Sequence, residues 1–320
     1  MQYIQTAVAL GSAIQLCIVT SLDKVAVDNL FAEMWRQIFL FERQCSRFLP
    51  GSELSVFNRN AGTKQFVSDS FRRVLVTAKE LSVATDGLYN PFILPALQAA
   101  GYDHSFVKGY EHDAQDDHSR KKVVSCEHLE IGDDWGRIPY GTALDLGGCG
   151  KGYIADQLAT FIEPQVDGYW LSLGGDIIAG GLDETQQPWR IAIQKAQGNG
   201  KQDIGHIRLL SRERLAAATS GTSVHRGVKN GRPWHHLIDP QSGEPVQSDM
   251  LSATVCHASG AWADVLASCA VIAGSEQAEP LLAKHHAAAY VLQAPAQQTA
   301  PVTFGTVVHI DGEQQVSYNK

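Results

Sequence analysis

The most informative stretch of this 320-residue chain is DLGGCGKG, residues 145–152. Its pattern predicts a strand-like approach, a glycine-rich turn and then a helix over residues 153–161. Such a turn at the start of a helix exposes backbone N–H groups to an anion, and Lys151 adds a point charge. The spacing matches neither a Walker loop nor the G-x-G-x-x-G fingerprint. A phosphate cradle and a tight structural turn therefore both remain open at this point.

The segments around this stretch predict mixed helices and strands packed around one core. Upstream, we expect two strands joined near Gly11 and Ser12, then a helix over residues 28–44 with Asp28 as its N-cap. A second helix is expected over residues 68–85. Downstream, apolar runs alternate with helical patterns, and they cover residues 123–131, 143–146, 153–162, 169–173, 189–194, 252–257 and 262–274.

Two further segments complete the predicted organisation. Residues 103–122 are dense in charge and histidine, which is typical of a solvated surface insertion. Residues 277–301 are rich in Ala, Gln and Pro, so we expect a helix and a loop there before a final strand near residues 302–310.

Composition excludes several classes of protein. Hydrophobic residues make up 44% and charged residues 19%, the balance of a globular chain rather than a fibrous or disordered one. The net charge of −8 provides no broad attraction to nucleic acid or to anionic lipid. The six cysteines are dispersed without a C-x-x-C pair, which favours a reducing compartment over zinc binding or a disulfide framework.

The uncharged N-terminal segment could be either a leader peptide or a pair of folded strands. Residues 1–22 contain no Lys or Arg and are interrupted by glutamines and by Gly11, and no lipoprotein cleavage site precedes Cys17. We therefore interpret the segment as two core strands, and we expect a cytoplasmic protein with no membrane anchor in this chain.

Three polar groupings are candidates for chemistry. LGGD at residues 173–176 places an acid after a glycine turn, a pattern typical of a hairpin. His235 and His236 would point to opposite faces of a strand, so one of them can serve as a general base while the other packs. Asp264 and Ser268 lie four residues apart on a predicted helix, which favours either a Mg²⁺ site or a buried structural pair.

Taken together, these motifs resemble the ApbE family of FAD:protein FMN transferases over nearly the whole chain. The matching stretches, in the order of the family, are ALGS at 9–12, CSRFLPGSEL at 45–54 with Asn58, TDGLYNP at 85–91, residues 145–156, LGGD at 173–176, TSG at 219–221, HHLIDPQSG at 235–243 and ADVLAS at 263–268. Each stretch is weak alone, but eight of them in order make coincidence improbable.

The resemblance implies a fold and an activity. The fold would be α+β and related to the T-fold, with residues 1–320 as a single large domain. Family members split FAD in the presence of Mg²⁺ and attach FMN through a phosphoester to a Thr or Ser of an acceptor flavoprotein, with release of AMP. The flavin is then a substrate rather than a redox cofactor.

The resemblance also assigns roles to particular residues. His236 would take the proton from the acceptor hydroxyl. The metal ligands would be the carbonyl of Gly148 and the side chains of Asp264 and Ser268. The residues expected to line the flavin nucleotide are Leu10, Phe48, Leu88, Tyr89, Asn90, Lys151 and Leu237.

Four positions depart from the family pattern: Leu10 replaces Met, Asn90 replaces Asp, Gly150 replaces Ala and Ser268 replaces Thr. Asn90 matters most, because a negative charge is lost. Two alternatives therefore accompany the transferase hypothesis, namely a Mg²⁺-dependent FAD pyrophosphatase and a non-catalytic FAD-binding protein.

Overall fold

The computed structural model describes residues 1–102, 123–196, 202–209, 212–223, 225–229, 231–295, 302–304 and 308–310. The predicted surface insertion at residues 103–122 lies outside the described residues. The helices are α1 (Lys24–Cys45), α2 (Glu53–Arg59), α3 (Asp69–Ala84), α4 (Leu94–Ala100), α5 (Gly147–Ile162), α6 (Gly260–Ala273) and α7 (Ser275–Lys284).

The strands are distributed along the chain, with their longest run between α5 and α6. They are β1 (Gln2–Ala9), β2 (Ser12–Val19), β3 (Gln65–Phe66), β4 (Glu130–Ile131), β5 (Trp135–Arg137), β6 (Gly168–Leu173), β7 (Asp176–Gly181), β8 (Arg190–Gln194), β9 (Asp203–Arg208), β10 (Leu215–Gly221), β11 (Arg226–Lys229), β12 (Arg232–His235), β13 (Ser252–His257), β14 (Ala289–Gln293), β15 (Val302–Phe304) and β16 (Val308–Ile310).

The chain forms two compact units that interleave in sequence. The sheet unit comprises Met1–Ile38, Lys151–Ser223 and Ser248–Lys320, and the helical unit comprises Phe39–Gly150 and Val224–Gln247. The expectation of a single domain over residues 1–320 stays a prediction.

The sheet unit contains an eight-stranded antiparallel sheet in the order β1-β2-β6-β7-β10-β13-β14-β15. Residues 1–22 supply its first two strands as predicted, and β2 lies between β1 and β6. Ile14, Leu16 and Ile18 of β2 are fully buried. β2 is therefore part of the folded core, whereas β1 is an edge strand in which only Ala9 is buried.

Helix α6 packs over β10 and β13 and is apolar on nearly all sides, so it is almost entirely buried. A second sheet, in the order β16-β9-β8, joins the eight-stranded sheet through a shared apolar cluster. That cluster includes Ile191, Ile207 and Val291. The sheet unit thus holds α6 and its side chains in a rigid frame.

The helical unit is built around α3, which begins and ends where the sequence predicts. Ser68 caps its first turn by accepting a hydrogen bond from the backbone N–H of Phe71, and Thr85 ends it. Phe57 of α2 packs edge-on against Phe71. A small sheet, β3-β5-β4, and the hairpin β11-β12 complete this unit.

Three predicted boundaries are wrong. Helix α5 already begins at Gly147, and residues 143–146 form no strand, so the glycines are the first helical turn rather than a turn before the helix. Helix α1 begins at Lys24, because the Asp23 carboxylate accepts from the N–H of Ala26. The segment 277–301, expected to be helix and loop, also contains β14.

None of the helices in the described part of the chain is both long and apolar enough to cross a membrane.

Candidate active site

Lys151 lies between two carboxylates in the sheet unit. Its Nζ is 3.1 Å from Oδ2 of Asp176 and 3.6 Å from Oδ2 of Asp264. The Asp264 side chain is only 5% exposed, so its charge is shielded little by water. We call Lys151, Asp176 and Asp264 the carboxylate–lysine cluster.

Each of the two carboxylates in the cluster accepts a hydrogen bond from a backbone N–H group. Asp176 follows the Gly174–Gly175 turn, where both glycines have positive φ angles of 71° and 103°. Its Oδ1 accepts a hydrogen bond of 3.0 Å from the N–H of Thr219 in β10. Oδ2 of Asp264 accepts one of 3.4 Å from the N–H of Gly152. The cluster is thus fixed by β7, β10, α5 and α6.

Burial raises the pKa of Asp264 to about 7, although the neighbouring Lys151 opposes the shift, and the charge of Asp176 adds to it. This carboxyl group therefore takes up a proton more readily than an ordinary aspartate does. A cation placed against it would favour the charged form, which is the electrostatic property expected of a metal ligand.

Ser268 lies one turn beyond Asp264 on α6, and its hydroxyl is 2.8 Å from that of Ser220. Asp264 binds Lys151 and Gly152 instead, so no hydrogen bond joins Asp264 to Ser268 among the described residues. The hydrogen bond expected of a structural Asp–Ser pair is therefore absent from the described residues.

The donor set suits Mg²⁺. No group of three or more His, Cys, Asp or Glu side chains in the described chain could hold a metal by itself. Mg²⁺ usually retains several waters and takes one or two carboxylates together with substrate phosphates. The buried carboxylate of Asp264 and the hydroxyl of Ser268 fit that pattern, whereas a thiolate or imidazole metal site is absent from the described residues.

A group of rings forms the second feature, in the helical unit. Tyr102 lies at the centre, with its ring centroid 6.1 Å from Phe48, 5.7 Å from His225 and 5.9 Å from Trp234. The ring of His236 meets His225 edge-on at 5.1 Å. We call Phe48, Tyr102, His225, Trp234 and His236 the aromatic cluster. It joins two predicted site residues, Phe48 and His236.

Arg47 makes cation–π contacts with two rings of this cluster. Its guanidinium lies 4.1 Å from the Phe48 ring centroid and 4.5 Å from that of Tyr102. Its Nε donates to Oδ2 of Asp145 at 2.5 Å, and both side chains are about nine-tenths buried. The Arg47–Asp145 pair therefore ties the rings to the residue that precedes helix α5.

The two adjacent histidines have different environments, although only His235 lies on a strand. His235 ends β12, a ring nitrogen lies 3.0 Å from the carbonyl oxygen of Val246, and burial lowers its pKa. His236 lies just beyond the strand against the aromatic cluster. His235 is thus tied to the backbone, whereas His236 belongs to the ring group.

Within the run from Leu88 to Asn90, two of the three side chains are buried. Tyr89 is buried, and its hydroxyl donates to Sγ of Cys149 at 3.0 Å. A Cβ at Gly148 would come within 3.2 Å of the Tyr89 ring, so Gly148 and Tyr89 are neighbours. Leu88 is partly buried.

Asn90 uses both ends of its amide inside the helical unit. Nδ2 donates to the carbonyl of Val124 at 2.9 Å, and Oδ1 accepts from the N–H of Phe92 at 3.0 Å. An aspartate carboxylate has no N–H for the Val124 carbonyl. The departure from the family's Asp therefore has a local structural reason.

Two of the remaining predicted residues lie in well-ordered backbone positions. Leu237 is 4% exposed, and its carbonyl accepts from the N–H of Val246. Leu10 belongs to the β1–β2 turn with a positive φ of 54°. Their predicted contact with the flavin nucleotide stays a prediction.

Sequence reasoning missed Tyr102 and His225 and assigned no role to Asp176 or Trp234. Asp176 had a signal, because an acid that directly follows a glycine turn is held at a strand end. Trp234 directly precedes the His pair. Tyr102 and His225 are far apart in the chain, and only the fold brings their rings together.

Comparisons with known proteins support one family. The ApbE family profile matches residues 10–292. A protein of Klebsiella pneumoniae (strain 342), named FAD:protein FMN transferase, is 27% identical over 284 residues, which is 86% of this chain and 79% of that protein. The name of this relative is that of a transferase, which is the activity that the sequence predicts.

Solved structures show the same fold. The flavin transferase ApbE from Vibrio cholerae matches with a TM-score of 0.78 at 24% identity, over 96% of this chain and 98% of that one. The apo form of the flavinyl transferase ApbE from Pseudomonas stutzeri matches with a TM-score of 0.77 at 23% identity, over 96% and 95% of the two chains. The predicted α+β fold is confirmed, and the chain belongs to the ApbE family.

Proposed function

We propose that this protein transfers FMN from FAD to a Thr or Ser hydroxyl of an acceptor flavoprotein, forming a phosphoester and releasing AMP. The observation that carries the proposal is Lys151, held between Asp176 and the buried Asp264. Phosphoryl transfer depends mainly on positioning and on neutralising charge, and this cluster is suited to both. Membership of the ApbE family supports the same reaction.

The carboxylate–lysine cluster would act on the phosphates. Asp264 and Ser268 are the proposed side-chain ligands of Mg²⁺. The role of the Gly148 carbonyl stays a prediction from the family resemblance. When bound, Mg²⁺ supplies charge neutralisation on the phosphate oxygens. Lys151 is partly exposed at 26%, so its ammonium group can turn from the carboxylates towards an anionic ligand.

His236 would act on the acceptor. The acceptor hydroxyl oxygen forms a bond to the phosphorus of the FMN half while the bond from that phosphorus to the AMP oxygen breaks. The hydroxyl proton goes to an imidazole nitrogen of His236, which must be neutral to receive it. A general base of this kind typically adds ~10²–10⁴-fold to the rate.

The aromatic cluster supports a role in holding the flavin. Flat rings stack on one another with centroids a few ångströms apart, and Tyr102 already stacks with His225 and Trp234. Phe48, which the sequence predicts as a flavin contact, is part of this group. Flavin binding here would need no charge from the protein, because the ring system is neutral.

The proposal is tested by incubating the protein with FAD, MgCl₂ and a flavoprotein that exposes a Thr or Ser acceptor motif. We expect a covalent adduct, seen by mass spectrometry as the mass of FMN less water, and AMP in equal amount. Free FMN without adduct would indicate the pyrophosphatase alternative, and intact FAD would indicate a binding protein. The cytoplasmic location also stays a prediction, testable by cell fractionation.

A further inference from the structure

Asp156 joins two helices of the sheet unit through three hydrogen bonds. It lies on α5, and its Oδ1 accepts from the N–H of Gly260 at 2.7 Å. Its Oδ2 accepts from the hydroxyl of Ser259 at 2.7 Å and from the N–H of Ala261 at 3.1 Å. These donors form the N-terminus of α6, so a side chain on one helix caps the other.

The same two helices carry the opposing members of the carboxylate–lysine cluster. Lys151 precedes Asp156 by five residues on α5, and Asp264 follows Gly260 by four residues on α6. The helices also touch backbone to backbone, since a Cβ on Gly152 would come within 2.1 Å of the carbonyl oxygen of Gly260. The position of α6 along α5 therefore sets the separation of Lys151 and Asp264.

A second cap in the same unit provides a contrast. Asp249 accepts from the N–H of Ser275 at 3.0 Å and also from the Ser275 hydroxyl, at the start of α7. Both caps use a remote aspartate and a serine at a helix start. Helix α7, however, carries none of the candidate site residues, whereas α6 carries two of them.

We propose that Asp156 is a positioning residue, which holds α6 in the register that places Asp264 beside Lys151. The inference that this register serves metal and phosphate binding rests on the proposed function. Residues that orient metal ligands from outside the site typically change metal affinity or activity by 10–100-fold when replaced. Among the described residues Asp156 accepts from Ser259, Gly260 and Ala261 and not from any group of Asp264, so it would act through the helix.

The test compares Asp156→Asn with Asp249→Asn as a matched control. Asn keeps the size of Asp but lacks the second carboxylate oxygen, so at least one of the backbone N–H groups of α6 loses its acceptor. Both variants remove one charged cap and should lower the melting temperature to a similar degree. Crystal structures of the two variants give the distance from the backbone N of Gly152, next to Lys151 on α5, to Asp264 Oδ2, and titration with Mn²⁺ gives the metal affinity.

We expect Asp156→Asn to lengthen the distance from Gly152 N to Asp264 Oδ2 and weaken Mn²⁺ binding ~10-fold or more, while Asp249→Asn changes neither. An Asp156→Asn structure with this distance unchanged at 3.4 Å would overturn the proposal, and so would a variant that fails to fold, because Asp156 would then be a purely structural residue. If the wild type neither binds Mn²⁺ nor transfers FMN, the proposed function fails, and the two crystal structures still decide the role of Asp156.

Discussion

The carboxylate–lysine cluster consists of charged side chains, whereas the aromatic cluster consists of stacked rings. The first brings three charged groups together, and one of them is the buried carboxylate of Asp264. The second stacks neutral rings around Tyr102, with a paired arginine beneath them. Charged groups without water interact strongly with other charges, whereas stacked rings offer flat apolar surface.

This difference separates two tasks that FMN transfer requires. Reaction at phosphorus needs charge neutralisation, and holding a flavin ring needs surface and shape. If the assignment is correct, substitutions in the first cluster should affect the metal and the chemical step, and ring substitutions should affect FAD affinity. The base His236 lies in the second cluster but should behave as a group of the first kind, because it acts only in the transition state.

The largest effect is expected for Asp264→Ala. Loss of the buried carboxylate should reduce FMN transfer on the order of 10³-fold or more, since a bound metal ion contributes several kcal/mol to the stability of the transition state. The melting temperature should not fall, because the variant removes a carboxyl group that is costly to bury. Transfer rate and thermal unfolding are measured together.

Asp183→Ala is the control for Asp264→Ala, because Asp183 belongs to the same unit but only binds neighbouring residues of its own loop. It should leave transfer near the wild-type rate. Normal turnover by Asp264→Ala in buffer treated with a chelator would show that the metal assignment is wrong.

The next largest effect is expected for His236→Ala, which should slow transfer about 10²–10³-fold at saturating FAD. FAD affinity should change little, because a base is needed in the transition state rather than in the bound complex. Single-turnover kinetics and FAD titration separate the two quantities.

His235→Ala is the natural companion, because the two histidines are adjacent and only His235 is tied to the Val246 carbonyl. It should cost stability through the lost backbone contact and leave the chemical step nearly intact. The reverse pattern, with transfer lost in His235→Ala alone, would identify His235 as the base.

Local patterns predicted much of the fold. Ser68 and Thr85 mark the ends of α3, and residues 252–257 form β13 as the apolar run indicates. The start of α5 was wrong because glycines lower helix propensity, yet Asp145 accepts from the N–H of Gly147 at 2.6 Å and caps the helix there. A local hydrogen bond from the backbone to a side chain thus offsets the low helix propensity of the glycines at this position.

The site was predictable to the extent that its residues lie in short motifs. Lys151, Asp264 and Ser268 stand in such motifs, and the fold places Lys151 beside Asp264. Tyr102 and His225 have no motif, and their stacking depends on the chain path between them. Pairs of this kind can be identified only from the tertiary structure, because no local sequence pattern predicts them.

A pH experiment sharpens the assignment of the charged cluster. The pKa of Asp264, raised to about 7 by burial, means that a proton occupies this carboxyl below pH 7 in the metal-free protein. A metal ion must displace that proton, so metal affinity should fall about tenfold for each pH unit below 7 and level off above it. Calorimetric titration with Mn²⁺ at pH 6, 7 and 8 measures this dependence.

An ordinary aspartate would titrate below pH 5 and give constant affinity over that range. Constant Mn²⁺ affinity from pH 6 to 8 would therefore contradict the role of Asp264 as a buried ligand. Asp264→Asn, which cannot titrate, should bind weakly at every pH.

The smallest effect is expected for Tyr102→Leu, which removes the ring at the centre of the aromatic cluster. A leucine keeps apolar bulk but cannot stack, and aromatic pairs contribute about 0.5–1.5 kcal/mol beyond the area they bury. FAD affinity, measured by flavin fluorescence, should therefore fall about 2–10-fold, while Mn²⁺ affinity stays unchanged. Tyr140→Leu is the matched control, because Tyr140 lies in the same unit and is 82% exposed. Equal FAD affinity in the two variants would show that the aromatic cluster does not bind the flavin. A parallel loss of Mn²⁺ affinity in Tyr102→Leu would show that the two clusters do not act separately.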